Sequence, residues 1–314
     1  MHLRSKSFWP VSWTAFSVIS ARLVLLVCIA LANTCSLEAE DKIKTFGWPE
    51  VSLNVIALDH QNGVIRSLSP ENLVVKENGT AQTITKLSNE DSPASVCILV
   101  DVSSSMKPFA AEERRIAARI VQEANPEDEF CIVSIQFRTI MEHNFTKDRS
   151  QLVSALKPME FGGATAYRDG IQATAKYMRQ YASNETRIMV IITDGVDNAS
   201  NVSPSKLEQD LKADGSMLCV LAVAAQGDNG VYDAIGRNLG GSVKATGGLI
   251  FYADNFIQMG AVTDQMSEAI RGRYKLTYTS TNVDRNGKMR SLEVTPIKTP
   301  SGLKKMSQIG RAHV

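Results

Sequence analysis

An uninterrupted apolar run, Ser95-Val96-Cys97-Ile98-Leu99-Val100, ends in Asp101, and hydroxyls follow at alternate positions, Ser103 and Ser105. A strand with no polar alternation is buried on both faces, as in the middle of a parallel sheet. Asp101 then falls at the carboxyl end of that strand, where open α/β sheets place their ligands. Asp101, Ser103 and Ser105 offer one anionic and two neutral oxygens within one turn, a hard-ligand set suited to Mg²⁺ or Mn²⁺. The same residues also read as a strand running into a Ser-rich helix cap.

Around this stretch, strands alternate with helices. Further strands are expected at 131–137, 140–145, 187–194, 217–224 and 248–252. Helices are expected at 110–124, 148–156, 166–181, 204–212, 231–239 (ended by Gly240-Gly241) and 256–270. This alternation predicts a parallel sheet covered on both faces. The flanks have a different texture. Val51–Asp59, Leu73–Glu77 and Ala81–Leu87 read as short strands, with turn signals at Asn62-Gly63 and Asn78-Gly79. After Arg271, Arg273–Thr279 alternates strictly, Asn286-Gly287 is a turn and Met289–Ile297 a further strand. The N-terminal strands make about half of a usual sandwich. Both flanks together are therefore expected to build one small β-sandwich into which the α/β block is inserted.

The ends carry their own signals. Arg4, Lys6 and Arg22 precede the apolar core 23–32, which closes on Ala30-Leu31-Ala32, a small-x-small cleavage pattern. Residues 1–32 are read as an export signal; an uncleaved anchor and acylation at Cys35 are the alternatives. Residues 33–47 read as a tether. The expected division is then 48–90 for the first sandwich half, 93–270 for the α/β domain and 272–308 for the C-terminal strands. The last six residues, 309–314, are what ATC GGA AGA GCA CAC GTC encodes, a string resembling a sequencing-adapter end. They are read as a non-native tail that leaves the native final strand missing. Export places the mature chain in a periplasmic, cell-surface or extracellular setting, with no membrane span after signal removal. Of the mature cysteines, Cys35 lies in the tether and Cys97, Cys131 and Cys219 lie in strand-like runs. Their spacing matches no zinc pattern, and buried unpaired thiols are expected over a disulfide.

A net charge of +1 with no basic block argues against nucleic acid as a partner. Two further segments complete the pattern begun at Asp101. Phe161-Gly162-Gly163-Ala164-Thr165 precedes the long helix, and Thr193-Asp194-Gly195-Val196-Asp197-Asn198 closes the fourth strand of the block. Taken singly, the first is also a loop with a helix cap and the second also a turn. In this order, on this alternation, the chain resembles the von Willebrand factor type A domain over about residues 93–270. The flanks resemble those of an exported bacterial subgroup, through Asn72–Gly79 before the domain and Gly272–Thr279 after it.

The resemblance implies a doubly wound, mostly parallel six-stranded sheet of Rossmann-like type, in which the first and fourth strands are neighbours. It also implies a metal-ion-dependent adhesion site (MIDAS) formed by Asp101, Ser103, Ser105, Thr165 and Asp194. Ser103, Ser105 and one of Thr165 or Asp101 would then coordinate Mg²⁺ or Mn²⁺ directly, with carboxylates acting partly through water. An ion held by neutral hydroxyls favours an anionic ligand, so the partner implied is a protein supplying a carboxylate. A metal-independent structural or assembly module is the other reading. Asp197 is read as a solvated turn residue over a loop charge near the metal, and His60, His143 and His313 form no set.

Enzyme motifs are incomplete. Ser104-Ser105-Met106-Lys107 matches Ser-x-x-Lys, yet its Ser-Asp-Asn and Lys-Thr-Gly companions are absent from the sequence. Asp194-Gly195-Val196-Asp197 is similar to the acidic loop of haloacid-dehalogenase-type phosphatases, whose nucleophile needs a second Asp where this chain has Ser103. The chain is expected not to be an enzyme, and Ser104 to be a bystander.

Overall fold

The computed structural model describes residues 50–59, 63–89, 91–224, 229–284, 290–297 and 303–310. The expected export signal and tether lie outside them, as do the Gln61-Asn62 and Asn286-Gly287 turn positions and residues 311–314.

The α/β block is built on β5 (Ala94–Asp101), β6 (Glu129–Ile135), β7 (Thr139–Thr146), β8 (Thr186–Thr193), β9 (Met217–Val223) and β10 (Ile250–Ala253). Their order in the sheet is β10-β9-β8-β5-β6-β7. All neighbours are parallel except β6 and β7, where β7 returns as an antiparallel edge strand. β5 and β8 are adjacent, as expected, so both strands that end near an Asp lie side by side at the centre.

Six helices cover the faces: α1 (Ala110–Glu123), α2 (Arg149–Ala155), α3 (Tyr167–Tyr181), α4 (Pro204–Asp214), α5 (Asn229–Thr246) and α6 (Phe256–Arg271). Every residue of β5 is buried, because alternate side chains feed two different cores. Val96, Ile98 and Val100 pack with α1 and α6, whereas Cys97 and Leu99 pack with α3, α4 and α5. Each such aliphatic side chain contributes roughly 1.5–3 kcal/mol on burial.

α5 runs through Gly240-Gly241 instead of ending there. Its buried stripe of Val231, Ile235, Leu239 and Val243 continues past the pair. A Cβ at Gly241 would meet only the flexible end of the Glu208 side chain of α4, and one at Gly240 would meet nothing, so the pair sits inside the helix without capping it.

The flanks form two antiparallel sheets. One has the order β13-β1-β11-β4, from β13 (Leu303–Gly310), β1 (Glu50–Asp59), β11 (Tyr274–Thr279) and β4 (Ile84–Ser88). The other has the order β12-β2-β3, from β12 (Leu292–Pro296), β2 (Leu73–Glu77) and β3 (Thr80–Gln82). The run 81–87, read as one strand, is therefore two, and the chain changes sheets at Thr83. Asn78 and Gly79 both take positive φ, 49° and 82°, as a tight β2–β3 turn requires.

The two sheets share one core, with Val51, Leu53, Leu73 and Val75 from the N-terminal flank against Leu276, Tyr278 and Val294 from the C-terminal one. β1 is buried on both faces over Val55–Leu58, because Ile56 and Leu58 on its other side join the α1–α6 core of the α/β block. The two connectors into and out of that block are tied together. Arg271 Nε donates to Asp91 Oδ2 at 2.9 Å, and Arg273 Nη2 donates to the Ser92 carbonyl. β13 lies antiparallel on β1, its register running from Leu53 opposite Gly310 to Asp59 opposite Leu303.

The cysteine expectation needs correcting. Cys97 and Cys131 form a disulfide, with Cα atoms 4.7 Å apart. They face each other directly in the β5–β6 register, which a spacing of 34 residues does not reveal. Cys219 is buried as a thiol and burial pushes it up to about 11, so it is inert at neutral pH. Non-reducing peptide mapping should recover the Cys97–Cys131 linked pair, with Cys219 taking up a maleimide only after denaturation. Labelling of Cys219 in the native protein would contradict its placement.

Candidate metal centre

The five residues singled out from the sequence sit on three loops at the carboxyl end of the sheet. The first loop leaves β5 directly. Asp101 is buried, and its Oδ1 accepts the Ser103 N–H at 3.1 Å, a local turn of the kind short acidic side chains favour. Its Oδ2 accepts the Thr193 hydroxyl at 2.6 Å, so both carboxylate oxygens are oriented by the protein. The Ser103 and Ser105 hydroxyls lie 3.2 Å apart. Ser103 is buried and Ser105 exposed, while Met106 anchors the loop in the core. Ser104 is exposed, with its N–H given to the Gly163 carbonyl at 3.1 Å.

The second loop is clamped to the first and third. Gly162 N–H donates to the Val102 carbonyl at 2.8 Å, and Gly163 takes φ +79°, a conformation that favours glycine. Thr165 is buried; its N–H donates to Asn198 Oδ1 at 2.9 Å and its carbonyl accepts from the Asn198 and Ala199 amides.

In the third loop, Asp194 is 8% exposed and its Oδ1 accepts the Val196 N–H at 3.1 Å. Gly195, at φ +80°, lets the chain pass over Ile235 while its carbonyl accepts from the Tyr167 hydroxyl at 3.1 Å.

Asp197 departs from its reading as a solvated turn residue, since its side chain is fully buried. It accepts from the Arg168 amide at 3.0 Å and from Ser200 N and Oγ at 3.1 and 2.8 Å, with the Arg168 guanidinium 3.5 Å away. Arg168 in turn donates to Val202 O and Asn238 Oδ1. Asp197 thus stitches the third loop to α3, which fixes Thr165 and Asp194 relative to each other. His143 stays apart from this site, bonded to Asn144 O and Gln151 Oε1.

Sequence reasoning missed two residues that touch Asp101. Thr193 is the hydroxyl on its Oδ2, and Glu113 of α1 accepts the Asp101 N–H at 3.0 Å through Oε1. A signal for Glu113 was present, because it lies on the apolar stripe of α1 with Ile116, Ala117 and Ile120, where a carboxylate is out of place.

The electrostatics fit a cation. Burial pushes Asp101 up to about 6 against the hydrogen bonds from Thr193 and Ser103, and the Asp194 charge adds to the rise. Burial also raises Glu113, followed by the charge of Asp101. Its Oε2 is buried with no hydrogen-bond partner. Among the described residues no group of three His, Cys, Asp and Glu side chains is placed to hold a metal, so hydroxyls have to complete any donor set here. Serine and threonine hydroxyls beside carboxylates are the hard oxygens that Mg²⁺ and Mn²⁺ take. Asp101, Ser103, Ser105, Thr165 and Asp194 are the residues that would hold such an ion.

Residues 96–196 match the von Willebrand factor type A domain family. The solved structures similar to the chain include the conserved hypothetical protein BatB from Bacteroides thetaiotaomicron. It is 18% identical with a TM-score of 0.43, over 56% of this chain and 98% of that one. An aerotolerance-related membrane protein from Bacteroides fragilis is 17% identical with a TM-score of 0.47, over 56% and 98%. Proximal thread matrix protein 1 from the mussel byssus, solved with a zinc-occupied MIDAS motif, is 16% identical with a TM-score of 0.47, over 62% and 49%. No curated protein matches the sequence.

Proposed function

We propose that this chain is an exported binding module that grips an acidic group on a protein partner through a Mg²⁺ or Mn²⁺ held by Asp101, Ser103, Ser105, Thr165 and Asp194. Domains of the von Willebrand factor type A kind are commonly adhesion and protein-binding modules and mostly non-enzymatic. The observation that carries the reading is the pairing of the Ser103 and Ser105 hydroxyls, 3.2 Å apart, over a buried, fully oriented Asp101. When bound, the ion supplies a Lewis-acidic position open to a carboxylate oxygen. The chain's part is to present Ser105 at the surface, keep Ser103 and Asp101 beneath it, and hold the three loops in one arrangement. Neutral hydroxyls leave the positive charge incompletely offset, which selects an anionic ligand.

Export is supported by the 1–32 signal pattern and by the Cys97–Cys131 disulfide, which suits an oxidising compartment. No helix among the described residues is long and apolar enough to cross a membrane.

Binding to immobilised Asp- and Glu-containing peptides, beside their Asn and Gln counterparts, tests the reading. Retention should require Mg²⁺ or Mn²⁺, favour the acidic peptides and be reversed by EDTA. Equal retention in EDTA, with no thermal shift on adding either ion, would instead favour a metal-independent structural or assembly module.

A further inference from the structure

Glu113 is fully buried in the first turn of α1. An acidic residue in a first helical turn is ordinary when it faces solvent, because it complements the helix dipole. Glu112 next to it is partly buried but has a cation, pairing with Arg115. Glu113 instead occupies the stripe shared by Ile116, Ala117, Ile120 and Val121, where an apolar side chain would pack at no electrostatic cost. Oε1 accepts the Asp101 N–H at 3.0 Å, and Oε2 is buried without any hydrogen-bond partner.

Protein cations do not balance it. Arg114, which partly offsets its charge, donates to the Met159 carbonyl and lies over the Phe161 ring, 5.1 Å from the centroid. Among the described residues Glu113 makes no ion pair. The other charges it feels are those of Asp101 and Asp194, both negative. Oε2 is thus a buried oxygen for which the described residues supply no donor, on a side chain whose other oxygen is bonded to the Asp101 main chain, and a bound cation would bring the positive charge that is missing there.

We propose that Glu113 is a positioning residue of the metal site: one oxygen fixes the Asp101 main chain, and its charge is balanced by the ion held at Asp101, Ser103, Ser105, Thr165 and Asp194. This inference rests on the metal-binding reading. It also explains why a carboxylate stands in the apolar stripe of α1.

The test uses the full mature chain and Mn²⁺ alone, with free Mn²⁺ followed by electron paramagnetic resonance and melting measured in EDTA. Glu113→Gln keeps an acceptor for the Asp101 N–H and removes the charge. It should melt no lower than wild type in EDTA yet bind Mn²⁺ about ten- to a hundredfold more weakly, the usual effect of losing a residue that orients a ligand. Glu113→Met, which packs on the apolar stripe, is the second variant, with the same loss expected should the amide fold poorly. Either variant, folded and binding Mn²⁺ with the wild-type dissociation constant, overturns the proposal while leaving the metal reading intact. A wild type that binds no Mn²⁺ removes both.

Discussion

Asp101→Asn is expected to abolish the thermal stabilisation that Mn²⁺ or Mg²⁺ gives the wild-type chain. Saturation at a hundredfold excess over Kd stabilises a folded state by about 2.7 kcal/mol. For a domain of this size each kcal/mol moves the midpoint by about 2–4 °C, so the wild type should gain about 5–10 °C. The variant should gain none, because the asparagine keeps the shape of the site and loses the anion at its floor. Its melting without metal should stay close to that of the wild type. The amide oxygen can still accept one of the two hydrogen bonds now made by Ser103 N–H and Thr193 Oγ, and the cost of burying the Asp101 charge disappears. Asp101→Ala would remove both acceptors and confuse loss of metal with loss of loop order, which is why the isosteric change is the cleaner measurement. Differential scanning fluorimetry in EDTA and in Mn²⁺ separates the two effects. An equal Mn²⁺ shift in variant and wild type would place the ion elsewhere.

The site was more legible in the sequence than its supports. Asp101, Ser103 and Ser105 announce themselves because a buried strand that stops in a carboxylate and alternate hydroxyls is a local pattern, and Thr165 and Asp194 sit at matching places on later elements. Glu113, Thr193 and Asp197 act through contacts between elements, and no spacing rule reports those. Asp197 looked like a turn charge because an Asp near an Asp-Gly pair usually is one, yet its partners Arg168 and Ser200 bury it completely. The Cys97–Cys131 pairing depended on β5–β6 register, which follows from packing on both faces of the sheet and not from 34 residues of intervening chain. Gly240-Gly241 was misread because glycine lowers helix propensity, whereas the buried stripe of α5 continues through the pair to Val243. Fold class survived these local errors because it rests on the alternation of strands and helices over the whole block. An error at one glycine pair does not alter that alternation.

Glu77→Ala is expected to destabilise the flanking sheets by about 3–5 kcal/mol, the range for removing one partner of a buried ion pair. Glu77 of β2 and Arg290 just before β12 are joined at 2.5 Å, with side chains only 1% and 4% exposed. Tyr278 of β11 donates to Glu77 Oε2 at 2.7 Å and Ser280 to Oε1 at 3.0 Å. One N-terminal carboxylate therefore organises three pieces of the C-terminal flank. Its loss leaves the Arg290 guanidinium buried without a counter-charge, held by Ser280 and the Asn282 and Asp284 carbonyls.

The same residue sets an acid limit. Burial alone would raise the Glu77 carboxyl, but the hydrogen bonds from Tyr278 and Ser280 and the Arg290 charge hold it below its ordinary 4.5. A group depressed in the folded state stabilises fully above its unfolded value and loses that contribution as pH falls through the lower folded one. Denaturation of the wild type should therefore show stability falling below about pH 4, and Glu77→Gln should flatten that part of the profile while lowering stability at pH 7. Hydrogen exchange locates the effect. Protection should drop in β2, β11 and β12 and stay close to the wild-type level in β5, β8 and β9, whose core residues lie outside the cluster shared by the two flanking sheets. Uniform loss across both regions would mean that the flanks and the α/β block unfold as one unit. In that case β1, buried between the two cores, is the element that couples them.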